Sequence, residues 1–315
     1  MTYQESLTTM TQADLSPNRS KLYVVATPIG NLGDLSPRAR EVIARVDLVC
    51  AEDTRVFRHL CAAAGLSTSR RVVSLHAHNE AEKIANVLNL LKQNQSVALV
   101  SDAGTPGLSD PGQRLVFELA RQGIEVVAVP GPSALTAALS IGGLRPEDGE
   151  PIMFWGFLPA RTRQRQDQLA RLSQLAGLHV FFESPHRILE CLEDALNTFD
   201  PNAEAVIARE LTKRFETCLR GSLAELLSTL KDQAQTAGPQ VFKGEFVVLI
   251  KNPAQATSRV KTASAIEPKD LETHDLLWLK SLCSHCPKPI AAKVVAEALG
   301  MSRDDAYRLV LDADN

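Results

Sequence analysis

The 315-residue chain lacks a marked net charge, a long apolar run and a dense set of cysteines. Its formal charge is −3 and its pI is about 6.2, so the chain as a whole is no general binder of polyanions. None of its apolar runs approaches the roughly 18 residues of a membrane-spanning helix, and no secretory signal is recognisable. These absences predict a cytoplasmic protein without a membrane partner. A nucleic-acid substrate would need basic residues gathered locally.

Metal-binding patterns are equally scarce. The six cysteines are scattered along the chain, which is typical of reduced thiols in a cytoplasmic protein. Cys283 and Cys286 have the spacing of half a zinc site, but no second ligand pair follows at the spacing of a zinc finger. A loop rim or a helix start explains His76, His78 and Glu80 at least as well as a metal does. We therefore expect no metal.

The most specialised stretch is the loop SDAGTPGLSDPG at residues 101–112. It follows the apolar run 97–100 and precedes a helical pattern over 113–121. The loop is therefore placed at the carboxyl end of a strand, where open α/β sheets bind ligands. Glycine lets backbone amides approach a ligand closely, and proline stiffens the path. Since a plain connection needs only about 2–6 residues, this loop favours ligand binding over a simple turn.

Two further strands of the same domain end in tight Gly/Pro loops. The apolar run 22–26 leads into TPIGNLGD at 27–34, and the run 124–129 leads into PGPSAL at 130–135. Loops at one edge of a parallel sheet converge, and these offer mostly backbone amides and carbonyls, with few charges. We expect a pocket for a compact ligand with a polar amino-acid end and a flat base. A nicotinamide or flavin enzyme is the weaker alternative because G-x-G-x-x-G is absent, and no Walker lysine indicates a triphosphate site.

The elements predict an α/β protein with two α/β domains and a small C-terminal helical unit, and the chain length suits such a division. The second domain contains strands and a basic segment at 159–171, a candidate RNA contact. The helical pattern at 290–310 has helix-turn-helix spacing, and we interpret it as an accessory RNA-binding or packing unit rather than a reader of DNA. The predicted divisions are a disordered tail (1–20), an N-terminal α/β domain (21–148), a C-terminal α/β domain (149–252), a linker (253–269) and the helical unit (270–315).

Several motifs in one order resemble the tetrapyrrole (corrin/porphyrin) methylase superfamily, and within it the enzymes that methylate a ribose of 16S rRNA. The motifs are YVVATPIGNLGD (23–34), AEDTR (51–55), SDAGTPGLSDPG (101–112), VPGPSA (129–134), FESPHR (182–187), RELTK (209–213) and KGE (243–245). The resemblance covers about residues 21–252 and the helical unit. It implies S-adenosylmethionine in a cleft between two α/β domains, a homodimer, and a cytidine ribose in the decoding centre of the small ribosomal subunit as substrate.

Matched motif by motif, the resemblance also implies a cofactor site built mainly from the strand-end loops. The residues so implied are Pro28, Ile29, Ala103, Gly104, Thr105, Pro106, Leu108, Ser133, Ala134, Phe182, Glu245 and Phe246. The sequence departs from the family pattern at Phe215, where a histidine is expected before the glutamate.

Methyl transfer to a ribose hydroxyl requires in-line alignment and removal of a proton from a group of high pKa. Two pairs are candidates for assisting that step, Lys213 with Glu210 and Asp53 with Arg55, and either pair would equally serve as a structural ion pair. Phosphate contacts are expected from Arg161, Arg163, Arg165, Arg187 and Arg209.

Two other functions stay open at this point. A methylase of small tetrapyrroles would use the same cofactor pocket, but the basic segment and the helical unit favour RNA. A non-enzymatic RNA-binding module is the other alternative, and cofactor binding would argue against it.

Overall fold

The structure is a computed structural model that describes residues 20–67, 71–75, 80–147, 149–238, 242–253, 279–283, 285–299 and 302–313. The chain divides into two compact units between Asn252 and Pro253. Residues 1–19 of the predicted tail, nearly all of the predicted linker, and the pair His76 and His78 lie outside the described residues. The domain boundary expected within the first unit stays a prediction.

The first half of the larger unit is a parallel five-stranded sheet with the strand order β3-β2-β4-β1-β5. Its strands are β1 (Lys21–Val25), β2 (Leu48–Ala51), β3 (Arg71–Ser74), β4 (Val97–Val100) and β5 (Glu125–Val129). Its helices are α1 (Pro37–Arg45), α2 (Thr54–Ala63), α3 (Glu80–Lys92), α4 (Gln113–Arg121) and α5 (Ala134–Gly142). The three Gly/Pro loops follow β4, β1 and β5, which are neighbours in the sheet.

Local sequence explains where these elements start and which faces they bury. The Ser36 side chain accepts a hydrogen bond from the amide of Ala39, and Pro37 takes the first position of α1. Strands β2 and β4 are buried at every position because helices cover both faces of the sheet. One face packs against α1 and α2, and the other packs against α3 and α4.

The second half is a mixed sheet with the order β6-β7-β10-β8-β9, in which β6 and β7 are parallel and the other pairs are antiparallel. Its strands are β6 (Ile152–Phe157), β7 (Gly177–Glu183), β8 (Glu204–Arg209), β9 (Thr217–Ser222) and β10 (Phe246–Asn252). Its helices are α6 (Thr162–Leu172), α7 (Ile188–Leu196) and α8 (Leu223–Ala237). Strand β9 is absent from the sequence-based expectation because TCLRGS has only two apolar residues and no alternation.

Helix α5 joins the two halves. It belongs to the first half in the chain, yet its buried residue Ala138 packs with residues of the second sheet, among them Val206 and Leu249. A Cβ atom at Gly142 would lie only 3.2 Å from Leu249 Cδ2, so the small residues of this helix permit a close approach to the sheet. The two halves therefore share an apolar core.

The described residues of the smaller unit include the helices α9 (Lys288–Leu299) and α10 (Arg303–Ala313), and residues 279–283 are helical as well. Leu279, Val295 and Leu309 are buried in its core. The partly buried Cys283 and Cys286 pack against this core, and within the described parts of the chain no three His, Cys, Asp or Glu side chains form a metal-binding group. None of the helices in the described ranges has the length and apolar character needed to cross a membrane.

Candidate active site

Hydrogen bonds join the three strand-end loops into one structure. The Thr27 amide donates to the Gly104 carbonyl at 2.9 Å, and the Gly104 amide donates back to the Thr27 carbonyl at 3.0 Å. The Thr105 hydroxyl donates to the Pro132 carbonyl at 3.0 Å, which ties the loop after β5 to the other two. The expected convergence of the loops is confirmed.

The centre of this arrangement requires glycine. Gly104 has a φ of +82°, in the left-handed region that other residues rarely adopt. A Cβ atom there would also lie 3.3 Å from Ile29 Cγ2 and 3.8 Å from the Pro132 carbonyl oxygen. The backbone of the long loop therefore lies directly against its two neighbours.

A cavity of about 340 Å³ opens beside these loops, between the two halves of the larger unit. Most of the residues predicted to bind the cofactor line it. They are Ile29, Ala103, Gly104, Thr105, Leu108, Ser133, Ala134, Phe182, Glu245 and Phe246. Pro28 and Pro106 lie in the same loops but do not line the cavity.

Three carboxylates that the sequence did not single out as site residues form one wall of the cavity: Glu52 after β2, and Asp102 and Asp110 in the loop after β4. The Asp53 amide donates to Asp102 Oδ1 at 2.9 Å, and the Asp102 amide donates to Glu52 Oε2 at 3.3 Å. Burial, followed by the charges of Glu52 and Asp102, raises the pKa of Asp110 to about 6. Burial also raises the pKa of Glu52. The pocket is thus more charged than its Gly/Pro loops suggest.

The second half supplies an aromatic wall and two more carboxylates. The Phe157 and Phe182 rings meet edge to face, with centroids 5.6 Å apart, and both line the cavity. Glu183 is only 1% exposed; its Oε1 accepts from the Ser184 amide at 2.6 Å and from the Arg187 guanidinium at 2.7 Å. Glu245 lies at the exposed rim. Apolar rings opposite a polar wall suit a ligand with a flat base and a charged end.

Lys213 reaches the rim of the cavity through Glu245. Its Nζ atom lies 2.7 Å from Glu210 Oε1 and 3.1 Å from Glu245 Oε2. Partial burial opposes the effect, but the hydrogen bonds to these two carboxylates raise the pKa of Lys213 above its usual value. Lys213 is therefore a held ammonium group, and the predicted Lys213–Glu210 pair exists.

The backbone around Lys213 is unusual. Glu210 and Thr212 both have positive φ angles, +52° and +65°, although neither is glycine. The lysine side chain crosses Gly30 so closely that a Cβ atom there would lie 2.3 Å from Lys213 Cγ. Gly30 belongs to the loop after β1, so the lysine of the second half is seated on the first.

The second candidate pair, Asp53 and Arg55, lies apart from the cavity lining. Asp53 caps α2, and its carboxylate accepts two hydrogen bonds from Arg55 Nε and one from Nη2, the latter at 2.6 Å. The hydrogen bond from the Arg55 side chain lowers the pKa of Asp53 to about 2. This geometry is that of a helix cap reinforced by an ion pair.

Of the five arginines expected to contact RNA, Arg165 is the one that the structure buries. It is 1% exposed, and its Nε atom donates to Asp194 Oδ2 at 2.7 Å, so its charge forms an ion pair inside the second half. Position 165 lies on the buried face of α6, one turn before Leu169, and the helical period therefore turns it away from solvent. The expected phosphate contact at Arg165 is corrected accordingly.

The other four arginines differ in how far they are available. Arg161 and Arg163 are exposed at the start of α6. Arg187 is partly exposed and paired with Glu183, and the Arg209 Nε atom donates to the Lys243 carbonyl at 2.9 Å. Phe215, where the sequence resemblance led us to expect histidine, is 67% exposed, with the Arg214 guanidinium 5.5 Å from its ring centroid.

Comparison with known proteins shows the family. The model of the tetrapyrrole (corrin/porphyrin) methylases matches residues 21–227. The chain belongs to this family. A relative named ribosomal RNA small subunit methyltransferase I, from Xylella fastidiosa (strain Temecula1), is 44% identical over 91% of this chain and 97% of its own. The relative of the same name from Vibrio cholerae is 39% identical over 96% of this chain and 99% of its own.

Among solved structures, the cobalt precorrin-4 methyltransferase CbiF has the same fold. It has a TM-score of 0.55 and 18% identity, and the match covers 73% of this chain and 94% of that one. Membership in the family confirms the two-domain α/β class and the expectation of a methyltransferase that uses S-adenosylmethionine. The nicotinamide or flavin alternative is thereby set aside.

The sequence contains only part of the signal for the acidic wall. Acidic residues follow both β2 and β4, and these strands are neighbours in the sheet. Glu52 stands out only once that strand order is known, because 50 residues separate it from Asp102 along the chain. Phe157 likewise becomes a lining residue only when the edge strand β6 is placed beside the long loop.

Proposed function

We propose that the protein transfers a methyl group from S-adenosylmethionine to the 2′-hydroxyl of a cytidine in the decoding centre of 16S rRNA. We infer the rRNA substrate from the 44% identity to a ribosomal RNA small subunit methyltransferase I over 97% of that relative's length. The resemblance of the motifs supplies the nucleoside and the atom. An rRNA substrate places the enzyme in the cytoplasm.

The cavity beside the three loops fits the methyl donor, which supplies an electrophilic methyl group on a sulfonium when bound. Residues Ile29, Ala103, Gly104, Thr105, Leu108, Ser133, Ala134, Phe182, Glu245 and Phe246 would hold it, with Pro28 and Pro106 shaping the loops behind them. The donor carries an ammonium and a sulfonium, and the described lining residues include carboxylates but no lysine, arginine or histidine. The chemistry of the lining therefore matches the ligand.

We assign assistance with proton removal to Lys213 and Glu210, together with Glu245, rather than to Asp53 and Arg55. Glu245 lines the cavity and contacts Lys213, whereas Asp53 caps α2 and does not line the cavity. A lysine held as an ammonium cannot itself accept a proton. It would orient the carboxylates and offset the negative charge that develops on the ribose oxygen.

RNA would be held outside the acidic cavity. Arg161 and Arg163 offer exposed positive charge at the start of α6. Arg187 caps the start of α7 and pairs with Glu183 of the cavity lining, and Arg209 ends β8. Phosphates repelled by the carboxylates would be neutralised there. The helical unit (270–315) would add an accessory RNA contact, and the active form would be a homodimer, measurable by light scattering as about twice the 34.2 kDa of one chain.

The test uses tritiated S-adenosylmethionine with 30S subunits or bare 16S rRNA from a strain lacking the modification. The labelled nucleoside is identified after digestion. Label in 2′-O-methylcytidine supports the proposal, and Lys213→Met should abolish most of it. Lys231→Met is the matched control, because Lys231 pairs with Glu193 on the surface away from the cavity. Donor binding with no label in RNA, but label in a tetrapyrrole acceptor, would overturn the rRNA assignment.

A further inference from the structure

The cavity carries an excess of negative charge that ion pairs among the described residues do not balance. Two of its carboxylates have cations beside them, since Arg187 pairs with Glu183 and Lys213 pairs with Glu245. The other three are Glu52, Asp102 and Asp110, the acidic wall. None of these three forms an ion pair with any described residue; Glu52 and Asp102 accept hydrogen bonds only from backbone amides. Among the described residues, only the exposed Arg55 guanidinium attracts the charge of this wall, through Asp102 and without an ion pair, so a ligand beside the wall meets a net negative charge.

Glu183 also belongs to the cavity lining, but its charge is held inside the protein. It is almost fully buried, and its Oε1 accepts hydrogen bonds from the Ser184 amide and the Arg187 guanidinium. Its Oε2 is shielded from the cavity, and the Cys191 thiol interacts with the same carboxylate. The negative charge that a ligand meets therefore comes mainly from the acidic wall.

We propose that the acidic wall of Glu52, Asp102 and Asp110 makes the enzyme prefer the sulfonium donor to its thioether product. In the reaction the methyl carbon forms a bond to the ribose oxygen, the carbon–sulfur bond breaks, and the hydroxyl proton passes to a base. The sulfur takes the electron pair of the broken bond, so S-adenosylhomocysteine carries one positive charge fewer than S-adenosylmethionine. Carboxylates that have no ion-pair partner among the described residues attract the more positive molecule. The inference rests on the proposed placement of the donor.

Asp110 makes this preference depend on pH. Among the described residues, the groups that face it are the carboxylates of Glu52 and Asp102 and the hydroxyl of Ser101. Burial is the largest cause of the rise in the pKa of Asp110 to about 6. The two carboxylates also raise this pKa, and a hydrogen bond with Ser101 lowers it. At pH 7.5 the wall therefore contains an ionised Asp110, and below pH 6 it loses that charge. The preference for the donor should weaken as the pH falls through 6.

Equilibrium binding of three ligands tests the proposal without catalysis. The ligands are S-adenosylmethionine, S-adenosylhomocysteine and sinefungin, in which an amine keeps a positive charge near the position of the sulfonium. In calorimetry at pH 7.5, Asp110→Asn and Asp102→Asn should each raise the dissociation constants of S-adenosylmethionine and sinefungin by about fivefold or more. The dissociation constant of S-adenosylhomocysteine should rise by less than twofold. Asp232→Asn, an exposed carboxylate on α8, is the control that should change none of the three.

The same titrations are repeated at pH 5.5. In the wild type, the dissociation constant of S-adenosylhomocysteine divided by that of S-adenosylmethionine should be smaller than at pH 7.5. In Asp110→Asn this ratio should change little between the two pH values. Because the folded state raises the pKa of Asp110, its ionised form costs stability above pH 6, so the neutral asparagine should not impair folding. A melting curve checks the folding of Asp110→Asn. Glu52→Gln is a third variant of the acidic wall, to be measured with the same three ligands.

Equal weakening of all three ligands would overturn the proposal, since it would mean that the wall contacts a part common to donor and product. Folded wild-type protein that binds none of the ligands would refute the placement of the donor and the proposed function with it.

Discussion

At the scale of single residues, Gly30 and Lys213 depend on each other across the two halves of the larger unit. A methyl group at position 30 would overlap the middle of the lysine side chain rather than its flexible end, so Gly30→Ala should displace the ammonium from Glu245. We expect methyl transfer to fall by about tenfold or more, with the dissociation constant of S-adenosylmethionine changed less than twofold. Single-turnover kinetics and calorimetry measure the two quantities.

The control for this prediction is Gly33→Ala, in the same loop, where a Cβ atom would contact only the Asn31 side chain. If Gly30→Ala retained full activity, the position of Lys213 would be irrelevant to the reaction.

Arg165 and Arg163 are two residues apart, but Arg165 is buried and Arg163 is exposed, so removing the interactions of each should change a different property. Asp194→Ala would leave the buried Arg165 with only the longer, 3.6 Å ion pair to the exposed Glu190, and we expect a loss of about 3 kcal/mol in the free energy of unfolding. Arg163→Ala should leave stability within about 0.5 kcal/mol and weaken RNA binding, because Arg163 is exposed. Urea denaturation and filter binding separate the two effects, and equal stability of both variants would contradict the assignment.

At the scale of elements, α5 links the fold to the site, because its first residue and its N-cap, Ala134 and Ser133, line the cavity while Ala138 packs on the second sheet. Ala138→Leu should overfill this contact, lower the free energy of unfolding by about 1–3 kcal/mol and also weaken donor binding. Ser140→Leu, on the exposed side of the same helix, should do neither. Chemical denaturation and calorimetry on both variants check the prediction; unchanged donor affinity in Ala138→Leu would show that the helix does not position the site.

Sequence patterns were enough for the elements with strong local signals. The apolar runs before the Gly/Pro loops and the Ser36-Pro37 helix start gave strands and a helix where the structure has them. Strand β9 could not be predicted, because an edge strand pairs through its backbone and TCLRGS carries little of the usual pattern. The acidic wall could not be predicted either, because it exists only through the order of β2 and β4 in the sheet.

At the scale of the whole molecule, the boundary between the two compact units follows Asn252. All described residues that line the cavity precede this boundary. A chain ending at Asn252 should therefore bind S-adenosylmethionine with unchanged affinity and methylate rRNA with a kcat/KM reduced by about tenfold or more, through a higher KM. Steady-state kinetics measures this, and loss of donor binding in the folded truncated chain would contradict it.

The shared core around α5 also bears on how ligands exchange. Many two-lobed enzymes open and close by a hinge, which requires an interface that can separate at little cost. Here Ala138 and Gly142 are buried against Val206 and Leu249, and hinge opening would expose that apolar contact to water. With the donor placed as proposed, we expect it to enter, and the product to leave, through the rim of the cavity past Phe157 and Glu245, while the two sheets keep their relative positions. A covalent link between the sheets would leave the exchange rate unchanged.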